Sequence, residues 1–227
     1  MASSVDEHRA PPFRLFVKEA GSIGRRLYFG FGRLGERGDP DGQPVMVIPG
    51  FFASDRSTLG LQRALAKQGY RVSGWGMGKN LGPRPDTLGA IIERLERFGG
   101  GRAAILLGWS LGGVYAREVA KARPDLVAKV VTMGTPFSGD PRANNAWRLY
   151  ELVAGHRVDA LPLAVDAAAK PPVQTLALWS RRDGMVAPAC ARGREPESDR
   201  RIELDCTHIG FATSPRAFRA IIEVIRD

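Results

Sequence analysis

The chain has little of what metal centres and covalent frameworks are made from. Its 227 residues include two cysteines, Cys190 and Cys206, and three histidines, His8, His156 and His208. No stretch gathers the four Cys/His ligands that a structural zinc site needs, so no metal site is expected. There is no run of the ~18 apolar residues a membrane span requires. Residues Met1 to Arg9 carry acids early and have no apolar core. This predicts no signal peptide and, with no span, a cytoplasmic home. A block of five or more like charges is also missing. The net charge is +9, but the basic residues lie in scattered pairs such as Arg25 with Arg26 and Arg200 with Arg201. That reads as an Arg-rich solvated surface, so nucleic acid is not an expected partner. Repeats and low-complexity tracts are absent.

The content fits one domain of the larger α/β kind. Hydrophobic residues make up 44% and charged residues 25%, near the averages for a globular chain. A chain this long buries most of its surface without a metal or disulfide. Short apolar runs alternate with amphipathic stretches, which predicts a mostly parallel sheet flanked by helices. Strands are expected at Val45 to Ile48, Tyr70 to Trp75, Arg102 to Trp109, Ala128 to Met133, Val173 to Trp179 and Arg200 to Leu204. Helices are expected at Ser57 to Gln68, behind an Asp86 N-cap, at Leu111 to Ala122, and behind Ser214-Pro215. Residues 136–170 break this rhythm and read as a helical insertion capping a site. The segment from Pro12 to Leu34 mixes phenylalanines with Arg and Lys. It suits either a membrane surface or a first helix and strand packed on the core.

Chemistry concentrates in three places. Gly108-Trp-Ser110-Leu-Gly112 matches G-x-S-x-G between an apolar strand and a helix, the context the motif requires. A side chain at Gly108 or Gly112 would collide with the sharp turn, and Ser110 is presented at the strand's edge. A serine hydroxyl needs a base. His208, between the last strand and the last helix, is the candidate, since His8 lies near a chain end and His156 in the insertion. An acid must then fix the imidazole's tautomer and stabilise its charge. Asp183 leaves a strand end between Ser110 and His208 in sequence, with Asp140 and Asp159 as the alternatives. Oxyanion donors are expected from the backbone N–H of Leu111 and, after the strand ending at Pro49-Gly50, from Phe51.

These pieces resemble a small bacterial lipase/esterase-like serine hydrolase of the α/β-hydrolase superfamily. Val-Ile-Pro-Gly-Phe near residue 50, Gly-Trp-Ser-Leu-Gly at 108–112, Met-Gly-Thr-Pro-Phe at 133–137, Ser-Arg-Arg-Asp-Gly-Met-Val at 180–186 and Thr-His-Ile-Gly at 207–210 run in family order. They span roughly residues 27–225. The resemblance implies hydrolysis of a small-molecule or lipid ester without a cofactor, with peripheral membrane contact open. An acyltransferase or thioesterase on the same groups, or a binding protein on a hydrolase scaffold, are the rivals. Pro49 stands where many relatives have histidine. Phe52, Met133, Phe137, Trp147 and Leu161 are apolar candidates for a substrate pocket. A bond between Cys190 and Cys206 would tie the acid loop to the histidine loop, and would then point to an oxidising compartment.

Overall fold

The computed structural model describes residues 10–19, 33–139 and 166–227. Six strands form one sheet: β1 (Pro44–Ile48), β2 (Arg71–Gly74), β3 (Ala104–Trp109), β4 (Val127–Met133), β5 (Gln174–Trp179) and β6 (Arg200–Glu203). They run in the order β2-β1-β3-β4-β5-β6, and every neighbouring pair is parallel. The helices packed with them are α1 (Asp55–Ala66), α2 (Thr87–Gly99), α3 (Leu111–Ala122), α4 (Pro188–Arg192), α5 (Gly210–Thr213) and α6 (Pro215–Arg226). Residues 13–19 are helical as well.

The continuous apolar strands are explained by burial on both faces. In β1, Val45 and Val47 face a core shared with Leu61, Leu65 and the α6 stripe Phe218, Ile221, Ile222 and Ile225. Met46 and Ile48 face the opposite core with Ile91, Leu95 and Phe98 of α2 and Tyr115, Ala116 and Val119 of α3. β3 divides in the same way, with Ile105, Leu107 and Trp109 on the first face and Leu106 on the second. Each such aliphatic side chain contributes about 1.5–3 kcal/mol through burial. α2 ends where Gly100 turns left-handed (φ +58°).

The elements match the sequence reading with ends displaced by one or two residues, except at short or capped places. Asp86 and Ser214 occupy N-cap positions but make no side-chain cap bond. The turn before α2 is closed by Arg84 N–H donating to Thr87 Oγ1 instead (2.8 Å). The five- and four-residue helices α4 and α5 were not expected, because they are too short to show a period. Of the insertion expected at 136–170, only its ends are described, and residues 140–165 lie outside the described set.

Those ends meet on one buried cation. The Arg117 guanidinium stands 4.2 Å over the Phe137 ring, where the chain leaves β4. It also donates to the carbonyls of Ala167, Ala168 and Ala169, where the chain returns, and to that of Glu197. Burial lowers its pKa to about 10, so it stays charged at neutral pH. Among the described residues no helix is long and apolar enough to cross a membrane.

Candidate active site

Strand order reverses beside β1, and in open α/β sheets ligands bind outside the strand C-termini at such a switch point. β1 and β3 end level there, with Ile48 opposite Gly108. β1 continues into Pro49-Gly50 and β3 into Ser110.

Ser110 lies at φ +54°, ψ −124°, a strained region for a residue with a side chain. Its neighbours leave no other path. A Cβ on Gly108 would fall 2.3 Å from Gly113 Cα, and one on Gly112 would fall 2.3 Å from the Ile48 carbonyl oxygen. The predicted collisions at both glycines are therefore present. Ser110 N–H donates to Met133 O (2.9 Å), which locks the turn onto β4. Among the described residues the Ser110 hydroxyl makes no hydrogen bond. α3 begins at Leu111, whose amide belongs to the helix's first, internally unpaired turn.

The facing loop is built around Asn80, which sequence reasoning missed. Asn80 is fully buried. Its carbonyl accepts Phe52 N–H (2.7 Å), its N–H donates to Ala53 O (2.7 Å), and its side-chain amide donates to Pro49 O (2.9 Å). These bonds hold residues 49–53 in a tight curve with Phe52 at φ +61°. Gly50 is required, since a Cβ there would lie 2.9 Å from Ser110 Cβ. An asparagine followed by Leu and Gly reads in sequence as an ordinary turn, so no signal pointed to it.

The acid and base meet directly. Asp183 Oδ2 lies 2.7 Å from His208 Nδ1, and the side chains are 1% and 2% exposed. Asp183 Oδ1 accepts Met185 N–H and Val186 N–H, both at 2.8 Å. This fixes the carboxylate's orientation and, through it, the Nδ1–H tautomer of the neutral ring. Burial works against a charge on His208, but the Asp183 carboxylate, its hydrogen bond and Glu19 prevail. Its pKa is raised above the ordinary imidazole value. Trp109, next to Ser110, donates its indole N–H to His208 O (3.0 Å), with ring centroids 5.7 Å apart. Gly134, which follows β4, is packed against the pair: a Cβ there would lie 2.9 Å from Asp183 Oδ2 and 3.0 Å from His208 Nδ1. Ser110, Asp183 and His208 thus share one edge of the sheet.

Glu19 was also missed. Its carboxylate, 4% exposed, accepts three backbone N–H groups: Gly184 (3.1 Å), His208 (2.7 Å) and Ile209 (2.9 Å). In sequence it looked like one more charge on an amphipathic segment.

Other expectations need correction. Cys190 and Cys206 are buried thiols that are not joined by a disulfide. Cys190 packs with Trp179, Val186 and Ala187, whereas Cys206 packs with Leu204, Ile209 and Phe211 in a different core. Burial, with Asp183 and Glu19 nearby, pushes the Cys206 thiol pKa up. The two loops are joined instead by Glu19 and by Ser180 Oγ–H donating to Cys206 O (2.7 Å). Met133 and Phe137 are packing residues rather than pocket walls. Met133 is wholly inside the core, and Phe137 is 3% exposed beneath Arg117. Phe52 is 42% exposed. Trp147, Leu161, Asp140, Asp159, His156 and His8 lie outside the described residues. Among the described residues no group of three His, Cys, Asp or Glu side chains is placed to hold a metal.

The chain as a whole is similar to known proteins. A triacylglycerol lipase of Pseudarthrobacter phenanthrenivorans is 30% identical over 112 residues, covering 44% of this chain and 35% of the lipase. The chain thus spans about a third of that relative's length. The mature lipase BlEst2 of Bacillus licheniformis superposes with a TM-score of 0.64 at 15% identity, over 86% of this chain and 98% of that one. The thioesterase domain of the curacin biosynthetic pathway gives 0.59 at 14% identity, over 85% and 94%. At these identities both structures speak for the fold alone. Residues 43–176, more than half of the chain, match the alpha/beta hydrolase fold family. With the parallel sheet, its switch point and the strained serine turn, that match makes the chain a member of the α/β-hydrolase family.

Proposed function

We propose that the protein is a serine hydrolase of carboxylic esters, with Ser110 as nucleophile, His208 as general base and Asp183 as the group that orients and stabilises the imidazole. The observation that carries this reading is the buried Asp183–His208 contact at 2.7 Å on the sheet edge where Ser110 is held in its strained turn. His208 takes the Ser110 proton as the oxygen attacks the ester carbonyl. The amides of Leu111 and Phe51 receive the oxyanion, each such donor being worth ~3 kcal/mol. The imidazolium returns its proton to the leaving alcohol. Water, deprotonated by His208, then releases the acid and restores Ser110. Direct bonding of Ser110 to the base is expected to tighten only once substrate is bound.

An apolar acyl group is favoured by the exposed side chains Phe52, Met77 and Leu81, 37–42% exposed, on the two segments joined through Asn80. Residues 136–170 complete the reading as a cap within one domain. Labelling by a fluorophosphonate probe, lost in Ser110→Ala, tests it alongside turnover of short and long p-nitrophenyl esters and of a matched thioester. A folded protein that neither labels nor turns over any of them would overturn the proposal.

A further inference from the structure

We infer that Glu19 is a positioning residue for the Asp183–His208 pair, acting on the hydrolase site proposed above. It lies in the helical segment 13–19, far from both loops in sequence, yet reaches each of them. One carboxylate oxygen accepts Gly184 N–H, next to Asp183, and His208's own N–H; the other accepts Ile209 N–H. The carboxylate therefore fixes the backbone on both sides of the acid–base contact. An ionised carboxylate is costly to bury unless its oxygens are satisfied, and three convergent amides satisfy this one.

The approach is built into the sequence. A Cβ on Gly184 would fall 2.4 Å from the Leu15 carbonyl, so glycine lets the helical segment close on the acid loop. The segment is tied locally by Leu15 N–H donating to Pro12 O (2.8 Å). Phe13 and Val17 point outward, 74% and 56% exposed, while Glu19 turns in. A charged residue in the buried position, with aromatics outside, is the reverse of ordinary core packing. It is accounted for by the two loops it joins.

Glu19 also acts through its charge. The charged groups facing His208 are Asp183 from the loop after β5 and Glu19 from the helical segment. Trp109 of β3 and Phe211 of α5 are uncharged, and Cys206 is kept a thiol by burial. Arg182 and Asp205, on the neighbouring surface, pair with each other at 2.8 Å. The negative charge of Glu19 favours the imidazolium that forms when Ser110 gives up its proton. Position and charge therefore serve the same step.

The experiment compares wild type with Glu19→Gln, Glu19→Asp and Glu19→Ala. The pH titration of the His208 ring is followed by NMR on histidine-labelled protein, with the signal identified by its loss in His208→Gln. Short-ester kinetics and thermal unfolding are measured in parallel. Glu19→Gln is expected to lower the ring's titration midpoint and cut kcat about tenfold with little change in KM. Glu19→Asp, which keeps the charge but shortens the reach, should hold the midpoint near wild type yet lose rate. Glu19→Ala should lose roughly 100-fold, the scale of a 1 Å misplacement. If it fails to fold, the near-isosteric Gln variant still decides. A folded Glu19→Gln protein with unchanged midpoint and kcat, even with a lower melting temperature, would overturn the inference. If wild type turns over no ester, the hydrolase reading falls, while the ring titration still judges Glu19.

Discussion

The backbone at Ser110 is shaped chiefly by close packing, most of it main chain on main chain. Gly108, Gly112 and Gly50 each admit a neighbouring strand or turn that no side chain would allow. Asp183 and His208 sit instead on two loops 25 residues apart, joined by side-chain bonds from Glu19 and Ser180, with Trp109 tying the second to β3. Sterics fix the first region, which has a single solution. Hydrogen bonds hold the second, and it can be loosened one contact at a time. The comparison teaches that rigidity at an active site comes from two sources with different vulnerabilities.

The largest effects should appear where both regions lose a reacting group. Ser110→Ala and His208→Ala are each expected to lower kcat by about 10⁶, against about 10⁴ for Asp183→Asn, in ester turnover. Near-equal losses for all three would break the distinction between a reacting group and an orienting one. Gly112→Ala should expose the steric region next. Its Cβ must displace the Ile48 carbonyl, costing about 1–3 kcal/mol in a denaturant titration. Probe labelling should fall with it, and an unchanged midpoint would show that the turn is softer than its contacts imply.

The hydrogen-bonded region should reveal itself through pH. Because the His208 pKa is raised, the ring keeps its proton to higher pH than a free imidazole. kcat/KM should therefore climb with a midpoint above ~6.5. The stability effect has the opposite sense. A raised folded-state pKa stabilises the fold below the unfolded value, and that contribution fades as pH rises through the folded one. Activity should rise over the interval in which this part of the stability declines, as read by paired rate and melting profiles. A midpoint at or below the free value would mean that Asp183 and Glu19 fail to outweigh burial. The smallest effect concerns the cysteines: with no disulfide between them, reductant should leave the melting temperature and ester turnover unchanged.

The steric region was the more legible in sequence, for a physical reason. Strand, Gly-x-Ser-x-Gly and helix are contiguous, so local pattern and local geometry coincide at residues 104–122. The acid and base were legible as residue types at strand ends, but their fastening was not. Glu19 bonds to residues far along the chain, and nothing in the run Phe-Val-Lys-Glu distinguishes a buried carboxylate from a solvated one. The cysteines misled for the same reason: nearness in sequence to the acid and the base did not place Cys190 beside Cys206. Met133 and Phe137 were apolar residues close in sequence to the motif pieces. Strand alternation and the Arg117 stack turned both away from the expected pocket.

Arg117 has a consequence for how such a chain can diversify. Its guanidinium holds Phe137 on the outgoing side and Ala167 to Ala169 on the returning side, like a clasp closing both ends of a purse. Closing a longer loop between two such fixed points costs only about 0.6 kcal/mol per doubling of its length. With the clasp kept, a change in loop length between Phe137 and Ala167 should therefore cost the fold little.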